Sequence, residues 1–274
     1  MTLKTRNLFF QIFLFTSLAV LLFALIIFLV SLHNSTILNP PALRIPAFLD
    51  RIPFTPKSVT ALFVSFLLIL MYVPACFYIL LKFFENTQTS EIIFFSGFLI
   101  ACLAEISRFI TICLGLWLSF SNTLIFMGNV TLFGRTLAPL SFLCAAILSE
   151  TSQRQDIERN YLIMMTVSVV FAVVIPMNTA IITSTALVTE GFIHLVNIMR
   201  FMLLLMSTAS FLVSAVKKNS LEHKYLAFSS AVILIGYGFL VTCDNFFFLI
   251  MGLFGLIYGT FKYLQTLHKM YMWG

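Results

Sequence analysis

Apolar residues run along the chain in eight long blocks, each of about 20 residues, separated by short polar stretches. The blocks do not alternate polar and apolar positions, so helices are expected rather than barrel strands. An apolar helix of about 20 residues is long enough to cross the hydrocarbon core of a bilayer. In lipid every backbone N–H and C=O must find a partner, and a helix supplies them within one segment. The expected fold is an all-α membrane protein, a bundle of about eight transmembrane helices. The spans are expected at about 8–30, 59–84, 92–118, 124–148, 161–183, 192–216, 225–243 and 246–264, as one polytopic domain over 1–274. Pro74, Pro139 and Pro176 fall inside the second, fourth and fifth spans. A proline there frees a carbonyl in the preceding turn and kinks the helix.

The first block follows Lys4 and Arg6. It is longer than a signal-peptide core and has no clean cleavage site, so an uncleaved span is expected. Residues 32–57 form the longest polar connection. Its five prolines (Pro40, Pro41, Pro46, Pro53 and Pro56) forbid a long helix. Leu43, Phe48 and Ile52 beside Arg44, Asp50 and Arg51 suggest a short segment lying at the membrane interface.

Composition excludes a soluble fold. The chain is 61% hydrophobic and 9% charged over 274 residues, whereas soluble domains run near 45–50% and about 25%. The net charge of +6 would hint at nucleic acid in a soluble protein. Here no basic stripe interleaves with aromatics on a polar surface, so no nucleic-acid partner is expected. The charge instead sets orientation, because loops rich in Lys and Arg stay in the cytoplasm. With the N-terminus inside, the inner loops hold Lys4, Arg6, Lys82, Arg154, Arg159, Lys217, Lys218, Lys224, Lys262 and Lys269, and the outer ones hold Arg44, Arg51 and Lys57. Both termini are therefore expected in the cytoplasm, with the protein in the cell (inner) membrane.

The other three arginines lie inside spans. Charged groups there cost about 2.5–3.5 kcal/mol at a helix centre and need partners. Glu105 and Arg108 stand three apart in the third span, within ion-pair reach on one face. Arg135 follows Gly134 in the fourth span, a turn or so after Asn129 and Thr131. His194, Asn197 and Arg200 recur at steps of three in the sixth, and Asn178 follows Pro176 in the fifth. Counted from the outer ends, Arg108, Arg135, Arg200 and Asn178 sit at similar depths, roughly 8–16 Å below the surface. If Asp244 and Glu190 stay in water, three arginines face one buried acid, Glu105. An uncompensated charge in a low-dielectric layer is expensive. Two readings follow. An anion, through a carboxylate, phosphate or lipid headgroup, binds the arginines. Alternatively Asp244 or Glu190 folds in and pairs with Arg135 or Arg200, making the cluster glue between helices.

Other signals are weaker. Gly255 and Gly259, with Gly252, give a small-residue face on the last span, and Gly236 and Gly238 lie in the seventh. Such faces let helices approach closely, within one chain or between two. The five cysteines have no CxxC spacing and read as small hydrophobes. A lone in-span histidine, His194, makes neither a haem pair nor a metal cluster. No GxSxG frames a serine. No metal or cofactor is expected, and no catalytic residue.

The plan of many spans, small loops and a buried polar layer broadly resembles the membrane input modules of bacterial sensors, which usually carry a cytoplasmic output domain. The leading expectation is a non-enzymatic sensor-like or accessory subunit. It would bind an anionic small molecule or lipid headgroup through Glu105, Arg108, Arg135, Asn178, His194, Asn197 and Arg200. Besides membrane lipids, a protein partner is expected at loops 149–160 and 217–224. The alternatives are a carrier or flippase for such an anion and, more weakly, an intramembrane enzyme with His194 or Glu105 as acid or base.

Overall fold

The computed structural model describes residues 2–33, 58–87, 89–116, 121–148, 156–183, 185–243 and 245–272. The interfacial segment expected within 32–57, the acid Asp244 and most of the loop before Asp156 lie outside the described residues. The helices are α1 (Leu3–His33), α2 (Val59–Phe83), α3 (Ser90–Ala104), α4 (Ile106–Cys113), α5 (Ser121–Leu148), α6 (Ile157–Val174), α7 (Ile193–Lys217), α8 (Leu221–Val241) and α9 (Phe246–Met272). A hairpin of β1 (Met177–Ile182) and β2 (Val188–Glu190) lies between α6 and α7. The helices α3 and α4 run as one span, so among the described residues eight spans are long and apolar enough to cross a membrane. The chain is a multi-pass integral membrane protein by this measure.

The α3–α4 span is the axis of the bundle. In its most apolar stretch 83% of residues are buried, against 17% in α1 and 22% in α6 and α7, which ring the outside. Phe94, Phe95, Phe98 and Leu99 of α3 pack on Phe142 of α5, Tyr237 of α8 and Tyr263 of α9. The phenylalanines thus serve two environments, since Phe15, Phe126, Phe201 and Phe254 point outward. At Glu105 the span tightens: the amide of Glu105 bonds the Cys102 carbonyl at 3.3 Å, and that of Arg108 bonds the Glu105 carbonyl at 3.2 Å. These three-residue steps are 3₁₀ geometry, which often marks a functional position inside a helix.

Two contacts fix which ends meet. Arg6, buried to 2% exposure, donates to the carbonyls of Phe84 at 2.7 Å, Glu85 at 2.9 Å and Thr87. It satisfies carbonyls that the end of α2 leaves without intrahelical partners. Arg6 is therefore a helix cap, not a free loop charge. The Tyr271 hydroxyl donates to Glu91 at 2.7 Å, and the His268 ring stands edge-on to Phe84 at 5.8 Å. Both termini thus lie at one end of the bundle, here the terminal end, and the hairpin lies at the other.

The small-residue face of α9 is spent inside the chain. A methyl group on Gly236 would sit 2.6 Å from the Leu256 amide nitrogen and 2.8 Å from the Gly255 carbonyl carbon. Methyl groups on Gly252 and Gly259 would come within 2.8 Å of α8, and one on Gly255 within 3.1 Å. Gly238 does not share this contact, having nothing within 4 Å of such a methyl.

The fifth span departs from expectation. Instead of continuing to 183 with a kink, α6 stops at Val174, and Ile175 is extended at φ −77°, ψ 122°. Proline lacks the amide that would continue the helix and pushes the residue before it out of helical geometry. The chain then runs as β1, pairing Met177 with Glu190 and Asn178 with Thr189. Gly191 closes the hairpin base. Its amide bonds the Pro176 carbonyl at 2.7 Å, and a Cβ there would meet that same oxygen at 2.8 Å. The tip tucks into the bundle, with Ala186 buried among Leu62, Phe63, Phe66 and Phe109. Non-helical backbone at membrane depth is tolerated when protein covers it, and this tip is covered.

Candidate functional site

Two polar nodes lie under the hairpin. The first is centred on Arg108. Its guanidinium pairs with Glu105 at 2.7 Å, both side chains being 1% exposed. It donates from Nε to the Thr185 carbonyl at the hairpin tip at 3.1 Å, and from Nη2 to the same oxygen. The Phe66 ring of α2 lies 4.6 Å from its Cζ, a cation–π contact in a desolvated setting. The Tyr237 hydroxyl of α8 donates to the other Glu105 oxygen at 2.8 Å. Arg108 therefore ties α2, α4, α8 and the hairpin tip together and leaves no buried nitrogen without a partner.

The second node lies at the hairpin base. Glu190, the last residue of β2, turns inward and is 9% exposed. Its Oε1 receives Arg200 of α7 at 2.5 Å and faces Arg135 of α5 at 3.9 Å. Arg200 also donates to the Asn197 side-chain oxygen at 3.4 Å. This node is incompletely satisfied. Nε and Nη2 of Arg135, Nε of Arg200, Oε2 of Glu190 and Oδ1 of Asn129 are buried without hydrogen-bond partners. Arg135 also repels both Arg108 and Arg200 electrostatically. Among the described residues of this layer, three arginines face the two carboxylates Glu105 and Glu190. One positive charge is in excess.

Local sequence explains the placement of Arg135. A methyl group on the preceding Gly134 would lie 2.7 Å from the Ala101 carbonyl oxygen and 2.7 Å from the Ala104 Cβ. The glycine lets α5 press against α3, and Ser107 and Thr131 share a hydrogen bond of 2.7 Å across that contact. Arg135 thereby follows directly on the close contact of α5 with Ala101 and Ala104 of the axial span.

The seven residues expected at the site divide. Glu105, Arg108, Arg135 and Arg200 lie in the two nodes, and Asn197 touches Arg200 from an exposed position. His194 is exposed on the outside of α7, and Asn178 is exposed on β1 rather than in a helix. Steps of three drift about 60° each around a helix, so His194 and Arg200 end about 120° apart. The inward face of α7 follows Val196 and Arg200 instead, at a step of four; Val196 is fully buried. Three partners were not expected from sequence: Tyr237, the Thr185 carbonyl and the Phe66 ring. Tyr237 carries a usable signal, since a mid-span tyrosine hydroxyl needs a partner. A backbone carbonyl carries none.

No family model matches this sequence, and neither a curated protein nor a solved structure is detectably similar to it. The chemistry of the two nodes must be read from their own geometry. Two guanidiniums share one carboxylate oxygen there and keep further buried nitrogens without hydrogen-bond partners.

Proposed function

We propose that this protein is a non-enzymatic, sensor-like or accessory membrane subunit that binds a small anion at Arg135 and Arg200, in competition with Glu190. The observation that carries the reading is the set of three buried guanidinium nitrogens without hydrogen-bond partners in a layer whose described residues hold one positive charge in excess. A carboxylate or phosphate supplies both the missing acceptors and the missing charge. The loop charges favour a cytoplasmic terminal end, which places the node nearer the outer side of the cell (inner) membrane in this reading.

The hairpin gives the binding a consequence. It is pinned at its tip by Arg108 and at its base by Glu190. An anion that displaces Glu190 frees the base, and the base joins α6 to α7. Movement of those two helices reaches the inner loops 149–160 and 217–224, the surfaces proposed for a protein partner. Only differential binding between the pinned and released states drives such a change.

Titrating the detergent-purified protein with inorganic phosphate, and separately with acetate, tests this directly. Wild-type protein binds at least one of them. Arg135→Gln and Arg200→Gln each weaken that binding by roughly 10- to 100-fold, the equivalent of one charge-assisted hydrogen bond. Wild-type affinity in both variants would sink the proposal. A carrier for the same anion is the second reading, favoured by Pro74 and Pro139 inside α2 and α5, which supply hinge points. Phosphate flux into liposomes separates a carrier from a sensor.

A further inference from the structure

A second site lies at the opposite end of the bundle, on its outer surface. Here α2 and α9 part and leave between them a cavity of about 740 Å³. Met71, Ala75 and Ile79 of α2 and Leu253, Ile257 and Leu264 of α9 form its walls. Tyr72 and Thr260, which also line it, share a hydrogen bond of 2.6 Å. Their hydroxyls satisfy each other, so the floor is chemically apolar although it contains two polar groups.

The polar groups collect at one end. Gln265 and His268 line the cavity toward the terminal end. Lys262 reaches Gln265 at 3.4 Å. Lys82 stands 5.8 Å from the ring of Phe83, itself a lining residue. The groove thus has an apolar body, and two lysines stand beside its lining residues Phe83 and Gln265.

Its length fits one leaflet. The fifteen steps from Leu253 to His268 rise about 22 Å along a helix. Half of a bilayer with its polar interfaces is about 20–22 Å. A lipid whose headgroup lies level with His268 would send its chain along the whole groove to the midplane. A partner helix is too thick. At about 10 Å diameter it would cover the rim of the groove without following its floor, whereas an acyl chain is thin enough to lie along it.

We infer that this groove holds one acyl chain of an anionic phospholipid from the leaflet at the terminal end, with its phosphate held by Lys82 and Lys262. The two lysines supply the charge that selects the headgroup, and the apolar walls select the chain. This lipid site is separate from the arginine nodes under the hairpin and does not depend on the anion reading.

Native mass spectrometry of the protein released from nanodiscs of equal phosphatidylglycerol and phosphatidylcholine tests the inference. Wild-type protein retains one phosphatidylglycerol in preference to phosphatidylcholine. Ala75 is exposed in the groove wall, so Ala75→Phe fills the groove without disturbing the core, and it loses the retained lipid. Combining Lys82→Gln with Lys262→Gln lowers the preference by roughly 30-fold, as expected for two lysines near an anionic headgroup at about 1 kcal/mol each. Arg135→Gln leaves lipid retention unchanged. The inference is overturned if the Ala75→Phe protein keeps the lipid, if the double lysine variant keeps the preference, or if a co-purifying helix occupies the groove in place of lipid. Should Ala75→Phe fail to fold, the lysine variant decides alone.

Discussion

Replacing Arg108 by alanine lowers the stability of the detergent-solubilised protein by about 3–5 kcal/mol, the cost of removing one partner from a buried ion pair. The loss has three parts. Glu105, at 1% exposure, keeps Tyr237 as a donor but loses its counter-charge. The Thr185 carbonyl loses the guanidinium that holds the hairpin tip. The Phe66 ring loses its cation. Arg108→Lys rescues little, because one ammonium lacks the fork that reaches a carboxylate and a carbonyl together. The double variant Glu105→Gln with Arg108→Met is less damaging than Arg108→Ala, since no unpaired charge is left in the core. Thermal unfolding followed by fluorescence or light scattering measures all three. A drop below about 1 kcal/mol for Arg108→Ala, typical of an exposed pair, would show that the node does not hold the bundle together.

Gly236→Ala is expected to be the most damaging single-methyl change. The added carbon meets backbone atoms of α9 at 2.6 and 2.8 Å, and backbone cannot rotate aside as a side chain can. Overpacking of this kind costs typically 1–3 kcal/mol, and contact with rigid backbone puts this case near 3 kcal/mol. Gly238→Ala, two residues on, has nothing within 4 Å. It is neutral or stabilising by about 0.5–1 kcal/mol, because alanine loses less conformational freedom in a helix. The two melting temperatures therefore move in opposite directions, or one moves alone. Equal destabilisation of both would mean that α8 and α9 do not approach at Gly236.

How much of this was legible in the sequence depends on the kind of signal. The eight spans were, because lipid demands long apolar helices and tolerates little else. The Glu105–Arg108 pair was, because a separation of three on one helix forces proximity. The hairpin was not. Residues 177–183 are apolar enough to extend a span, and only Pro176 signalled that the helix would stop there instead of kinking. The inward turn of Glu190 stood as one of two open readings. Its depth is set by how α6, β1 and α7 pack, and no local pattern encodes that. The outward position of His194 shows the limit of spacing arguments, since a stripe 120° wide includes residues on both sides of a helix edge. The groove between α2 and α9 was invisible for a similar reason. It is made by the divergence of two helices far apart in the chain.

The central claim is that Glu190 occupies a place an anion can take. The most direct test is the affinity of Glu190→Gln for inorganic phosphate, measured by titration beside wild type in the same detergent. Glutamine keeps the size of the side chain and removes its competing charge. The account predicts at least tenfold tighter binding than wild type, one ion pair's worth of competition removed, about 1.4 kcal/mol. Unchanged or weaker binding would contradict it, and would make the node of Arg135, Glu190 and Arg200 a structural clamp on the hairpin.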